Sequence, residues 1–173
     1  SLHSTVLEDV KLFNKIFETH NKQIGICLDN KAYVESYLLQ WSFIEQVMLP
    51  ILIRQISHKV GLKECPKLDN KFMTHMIDHY YFLSHDTTLY KKLHEGNSER
   101  NKIIHGIKTP EDILTINNRC KVATKFILKE ISLPILDRLS SKTIVPVLGL
   151  YSKGWNDCRK ETLKRFDSIL SVQ

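Results

Sequence analysis

Apolar residues recur at intervals of three and four along almost the whole of this 173-residue chain, and alternating apolar–polar runs are scarce. That period puts side chains on one face of a 3.6-residue turn, so the chain reads as all-α. The densest stretch is 31–60, where the run QWSFIEQVMLPIL (40–52) carries an apolar stripe interrupted by one acid, Glu45. Six glycines and five prolines leave few places for helices to stop. A first helix is expected over Thr5–His20, with Leu7, Val10, Phe13, Ile16 and Phe17 on one face and a connection through Gly25. Asp29 or Asn30 is expected to cap a second helix running to Val60, with Pro50 as a kink. A third is expected from Asp69 or Asn70, interrupted or bent at Ser84-His85-Asp86, and a fourth from Thr87 to His105, with Gly96-Asn97 as a weak point. Thr109-Pro110-Glu111-Asp112 has the residues of a helix start: a capping hydroxyl, proline in the first turn, and acids at the positive end of the dipole. That helix should continue toward Leu139, disturbed at Pro134, and be followed by an irregular 143–150 and a closing helix over Trp155–Leu170. The result is a bundle of about five helices with short connections.

This length suits a single domain over 1–173, and 42% apolar with 25% charged residues is an ordinary globular balance. The opening Ser1-Leu2-His3-Ser4 has no initiator methionine, so excision from a longer chain with a sensor or partner domain is an open expectation. A net charge of +6 permits an anionic partner such as RNA without requiring one. Cys27, Cys65, Cys120 and Cys158 are dispersed, with no C-x-x-C pair, which reads as reduced thiols and a cytoplasmic setting. The apolar runs look too short to cross a bilayer, and no signal-peptide pattern opens the chain.

The fourth helical segment closes on Glu99-Arg100-Asn101-Lys102-Ile103-Ile104-His105-Gly106. Leu89, Leu93, Ile103 and Ile104 lie near helical spacing ahead of it, and Gly106 is placed as a C-terminal cap. The arginine, the asparagine after it and the histidine five positions on resemble the R-N-x-x-x-H signature of HEPN-superfamily ribonucleases. The helix carrying Trp41–Glu45 resembles, more weakly, the other core helix of that superfamily. An extended form of the signature has tyrosine two positions after the histidine; here Ile107 stands there, so regulation through that tyrosine is not expected.

Arginine holds phosphate through a rigid fork of donors, and histidine moves protons near neutral pH. Five positions turn about 140° around a helix, so Arg100 and His105 do not share a stripe, whereas Asn101 and His105 do. Asn101 is read as orienting the imidazole or a phosphate oxygen, with Arg100 reaching around the helix edge to the same cleft. The carbonyl end of a helix favours a cationic imidazole, which would help His105 act as an acid. Glu45, on the stripe of Leu38, Trp41, Met48 and Leu52, needs a partner if buried, and Arg100 or Asn101 is the expected one. Its carboxylate would orient the site or serve as a structural ion pair.

The resemblance implies metal-independent RNA cleavage by 2′-OH attack, with a homodimer bringing two Arg-His sets to one cleft and leaving a 2′,3′-cyclic phosphate and a 5′-hydroxyl. It also suggests a toxin or antiviral defence effector, restrained by an antitoxin or regulatory domain. An inactive module of the same fold, binding nucleotide, RNA or a protein partner, is the alternative. Separately, Arg100 could be a surface arginine paired with Glu99 or Glu95, with His105 as a capping histidine. A helical adaptor unrelated to RNA is a third reading. No cofactor is expected: His75 and His79 stand four apart but lack an evident third metal ligand, and no Gly-rich phosphate loop is present. Lys121, Lys125 and Lys129, and separately Arg159, Lys160, Lys164 and Arg165, form basic clusters read first as solvated faces. Tyr80-Tyr81-Phe82 offers stacking rings, of which at least two are expected in the core.

Overall fold

In a computed structural model the described residues are 2–64, 66–68, 72–106 and 108–140, with Lys160 and Lys164. They form an all-α bundle of five helices, and no strand occurs among them. Helix α1 spans Leu2–Asp29, and α2 runs continuously over Tyr33–Lys59. Then follow α3 (Met73–Ser84), α4 (Thr87–His105) and α5, a continuous helix over 110–140. The expected segments at 143–150 and Trp155–Leu170, the starts proposed at Asp69 or Asn70, and Cys65, Ile107 and Cys158 lie outside the described residues.

Helix α1 is longer than its sequence suggests and passes straight through Gly25. A mid-helix glycine costs about 1 kcal/mol relative to alanine. Here Ile24 and Leu28 extend the stripe begun by Phe13 and Phe17, and all four are buried. The helix stops three residues before Tyr33 in a tight reversal, with Lys31 at φ 57° and the Ala32 N–H donating to Cys27 O at 2.8 Å. Asn30 does not cap the next helix; its side-chain amide donates to Ile26 O, finishing the one before.

Pro50 and Pro134 do not break their helices. Each follows a wider π-turn, Ile44–Met48 and Leu128–Ser132, in which the N–H of the next residue reaches back five positions. Proline lacks an N–H and crowds the carbonyl four residues back, and a π-turn ahead of it gives the backbone room to continue. Helix α2 is therefore one rod of 27 residues, long and apolar enough to cross a bilayer by length and composition. This corrects the expectation that no apolar run reaches that length. The rod is mostly buried inside the bundle, as the core helix of a globular fold would be.

Packing is centred on α2, which lies against α1, α3 and α5, while α4 is held between α3 and α5. Trp41, Tyr37, Phe13, Ile44, Leu52, Ile77, Leu89 and Leu93 are all but removed from water. A bidentate pair, Arg54 to Asp9 at 2.6 and 2.9 Å, ties α2 to α1. The start of α5 carries a complete capping box, with Thr109 and Asp112 each accepting from the other's backbone N–H.

The α3–α4 corner is sharper than the sequence decided. His85 takes a left-handed conformation (φ 54°), and Asp86 caps α4 by accepting from Leu89 N. Asp86 also accepts from Tyr80 Oη at 2.6 Å and from the Arg138 guanidinium, so one carboxylate joins α3, α4 and α5. Burial alone would raise its pKa, but the bonds from Arg138, Tyr80 and Leu89 outweigh burial and hold it below the usual carboxylate value. Stability from a depressed carboxylate is complete above its unfolded-state pKa and is lost as pH falls through the lower folded value. Asp86→Asn should therefore be less stable than the parent at neutral pH, and the gap should close below about pH 4. Urea melts across that range, followed by circular dichroism, read this directly; a gap independent of pH would contradict it.

Candidate functional site

The candidate residues sit on α4, whose buried side is built from Leu89, Leu93, Gly96 and Ile103. Arg100 stands four residues after Gly96 and seven after Leu93, so helical geometry turns it toward that same side. Its side chain is 17% exposed. Arg100 Nη1 donates to Glu45 Oε2 at 3.0 Å, and its guanidinium carbon lies 5.4 Å from the centre of the Trp41 ring. Trp41 and Glu45 are four apart on α2, as Gly96 and Arg100 are on α4, so one turn of each helix brings the two pairs together.

Glycine at 96 makes this approach possible. A Cβ there would come within 2.7 Å of Ile131 Cδ1 and 2.9 Å of Trp41 Cζ2. The isoleucine tip could move, but the indole is itself fully buried. The expected weak point is thus a point of contact, and the helix runs through it unbroken.

The acid on the α2 stripe has the partner expected of it. Glu45 lies within the π-turn, 25% exposed, at the edge of the apolar face rather than its middle. Trp41, Met48 and Leu52 are buried, whereas Leu38 is 42% exposed, so the core face is rotated away from Leu38. The surface pairing of Arg100 with Glu99 or Glu95 does not occur. Glu99 instead takes both arms of Arg119 on α5, at 2.5 and 2.9 Å. The Nε of Arg100 is buried without an acceptor, which leaves the pair short of complete satisfaction.

Asn101 and His105 are exposed on α4, four residues apart. His105 is the last residue of the helix, and Gly106 follows with its N–H donated to Ile103 O at 3.2 Å. Gly106 stays right-handed; its value lies in closeness, since a Cβ would meet the Lys102 carbonyl at 2.9 Å. The geometry therefore joins Glu45 to Arg100 and leaves Asn101 and His105 on the adjoining open surface.

Of the stacking candidates only Tyr80 is in the core; Tyr81 and Phe82 are exposed, against the expectation of two buried rings. Lys125, Lys129, Lys160 and Lys164 are exposed, and Lys121 lies over the Tyr33 ring at 5.6 Å. His75 packs edge-on to Phe72, and no group of three potential metal ligands occurs among the described residues. A cleft of about 490 Å³, lined in part by Tyr37, Glu99, Lys102, Arg119 and Phe126, opens along another side of α4. Nothing in the sequence pattern pointed to it, because its residues come from three helices. Its floor residue Tyr37 has a phenol pushed up by burial to about 12, so the ring stays neutral.

No protein-family model matches this chain, and no curated protein or solved structure matches it.

Removing one partner of a partly buried ion pair leaves the other charge short of solvation, at a cost that grows with burial. Glu45→Gln should lower unfolding free energy by about 1–3 kcal/mol. Gly96→Val should cost about as much through overpacking against Trp41. Denaturant melts of both variants check these values, and a Gly96→Val protein as stable as the parent would show that the indole can yield.

Proposed function

We propose that this chain is a HEPN-type, metal-independent endoribonuclease that cuts RNA by attack of the 2′-hydroxyl on the adjacent phosphate. The observation that carries the reading is the anchoring of Arg100 by Glu45 and Trp41 beside an exposed Asn101–His105 surface. A guanidinium fixed by a carboxylate on one side keeps further N–H donors for a phosphate. An exposed imidazole at a helix end can take or give a proton.

In this reading one neutral His105 removes the 2′-hydroxyl proton as the oxygen attacks phosphorus. Arg100 stabilises charge on the non-bridging oxygens. A protonated second His105, from the other copy in a two-fold homodimer, gives its proton to the departing 5′-oxygen. The products are a 2′,3′-cyclic phosphate and a 5′-hydroxyl. Asn101 orients the reacting groups, Glu45 holds Arg100, and no cofactor enters the scheme. A cytoplasmic toxin or defence effector, restrained by an antitoxin or regulatory domain, is the setting that fits.

One observation favours a second reading. Arg100 is mostly buried, and its Nε faces no acceptor. An arginine engaged in this way suits a HEPN-fold module that binds nucleotide, RNA or a protein partner without cutting.

Cleavage of a labelled RNA pool in excess EDTA separates the two. The nuclease reading expects activity in the parent, with cyclic-phosphate ends. It expects loss of at least about a hundredfold in both Arg100→Ala and His105→Ala of verified fold, the low end of what one general acid–base group contributes. Cutting at the parental rate by either variant would remove these residues from the chemistry. A folded, dimeric and inactive parent would favour the binding module.

A further inference from the structure

The outer stripe of α4 does not end at the exposed His105, but continues through half-buried positions toward the start of the helix. Counting back by four, seven and four gives Asn101, His94 and Tyr90, which helical geometry places within about 60° of one another. From His105 to Tyr90 the stripe is about 22 Å long at 1.5 Å per residue. Its far end is aromatic. The Tyr81 ring on α3 lies 4.5 Å from the Tyr90 ring, tilted by 32°. Tyr90 in turn meets His94 edge-on at 4.6 Å, and Tyr81 meets His85 edge-on at 6.1 Å. Four rings thus form a row across the α3–α4 seam at the surface, with Tyr81 36% exposed and His94 about a third exposed.

Tyr90 is half-buried and packs its inner side against the core, whereas Tyr81 and His94 keep about a third of their surface open. The rings that fill the α3–α4 interface are buried ones, Tyr80 with Leu89 and Leu93. Asp78 bonds Tyr90 Oη at 3.3 Å and His94 Nε2 at 3.2 Å, which fixes both rings at the seam through their polar edges. Asp78, on α3, is the acid beside these rings, and its carboxylate is engaged by both Tyr90 and His94. The exposed Lys91 and Lys102 lie farther round α4 on the open side.

The geometry points to the α3–α4 seam as a track for single-stranded RNA, with Tyr81, Tyr90 and His94 as a base-stacking subsite several nucleotides from the Arg100–His105 centre. This deepens the ribonuclease reading and rests on it. Aromatic faces at the surface accept any base, and stacking supplies affinity without reading sequence. The net charge of +6 supplies the attraction for the backbone. Continuity of the row with Asn101 and His105 along one helix face favours a strand over a protein partner. A strand stacked at Tyr90 would be led along α4 toward His105.

The test uses a fluorescent 2′-O-methyl oligoribonucleotide, which cannot undergo 2′-OH attack. Its affinity is measured by anisotropy for the parent, Tyr90→Leu, His94→Ala and the control Phe82→Ala, each with its thermal midpoint. Phe82 is 77% exposed next to Tyr81 but turned about 100° around α3. The expected result is roughly a five- to hundredfold loss of affinity in Tyr90→Leu or His94→Ala at parental fold, with Phe82→Ala unchanged. Equal affinity in all four proteins would overturn the track while leaving the nuclease reading to its own cleavage assay. Tight, Tyr90-dependent binding by a parent that does not cut RNA would keep the track and refute the nuclease. No binding by a folded parent would overturn the track whatever the cleavage assay shows.

Discussion

A guanidinium drawn out of water is the constraint around which the α2–α4 half of this bundle is arranged. Arg100 is 17% exposed, and a charge in that position requires a compensating group. Glu45 supplies the opposite charge, and the Trp41 ring supplies a face that attracts a cation. Both come from α2, four residues apart, and a side chain at Gly96 would press on the Trp41 ring. The pairing contributes less to stability than the apolar core does, because desolvation offsets much of the attraction. What it fixes is register: sliding α4 along α2 by one turn would bury an unpaired arginine.

The same demand explains why an unusual backbone turn is tolerated where it is. Glu45 sits in the π-turn Ile44–Met48, immediately ahead of Pro50. A regular α-helix would crowd the proline ring against the carbonyl four residues back. The wider turn relieves that contact and lets the helix that carries Trp41 and Glu45 continue to Lys59. A second π-turn precedes Pro134 in α5, opposite the Asp86 end of the bundle, where Arg138 reaches the α4 cap. The two long helices therefore stay continuous, and each carries a charged side chain to an end of α4.

The fold class was legible because helical period is a local signal, and few glycines or prolines interrupt it. The limits of α4, Thr87 to His105, were readable from Asp86 before it and Gly106 after it. The Thr109–Asp112 cap was readable because hydroxyl, proline and acid each act through the adjacent backbone. Misjudged features were those where tertiary packing overrules a local preference. Gly25 looked like a break but lies between Ile24 and Leu28, whose burial carries the helix through it. Pro50 looked like a kink because a π-turn leaves no mark in composition. At the candidate site, the spacing of Glu45 on its stripe was enough to suggest Arg100 or Asn101 as its partner, and the packing selects Arg100. The matched four-residue spacings Trp41–Glu45 and Gly96–Arg100 were present in the sequence as well, but only the helix packing shows that they meet. The Tyr81–Tyr90–His94 row escaped notice because its members come from two helices around a sharp corner.

Arg100 and Glu45 act as one energetic unit, and that can be measured without knowing the substrate. A double-mutant cycle on unfolding free energy, using Glu45→Gln, Arg100→Gln and the double variant, isolates their coupling. The expected coupling is favourable by about 1–3 kcal/mol, with the double variant losing less stability than the sum of the singles. Additivity within about 0.5 kcal/mol would mean that the two helices are held by their apolar faces alone, and that Arg100 is not anchored by Glu45.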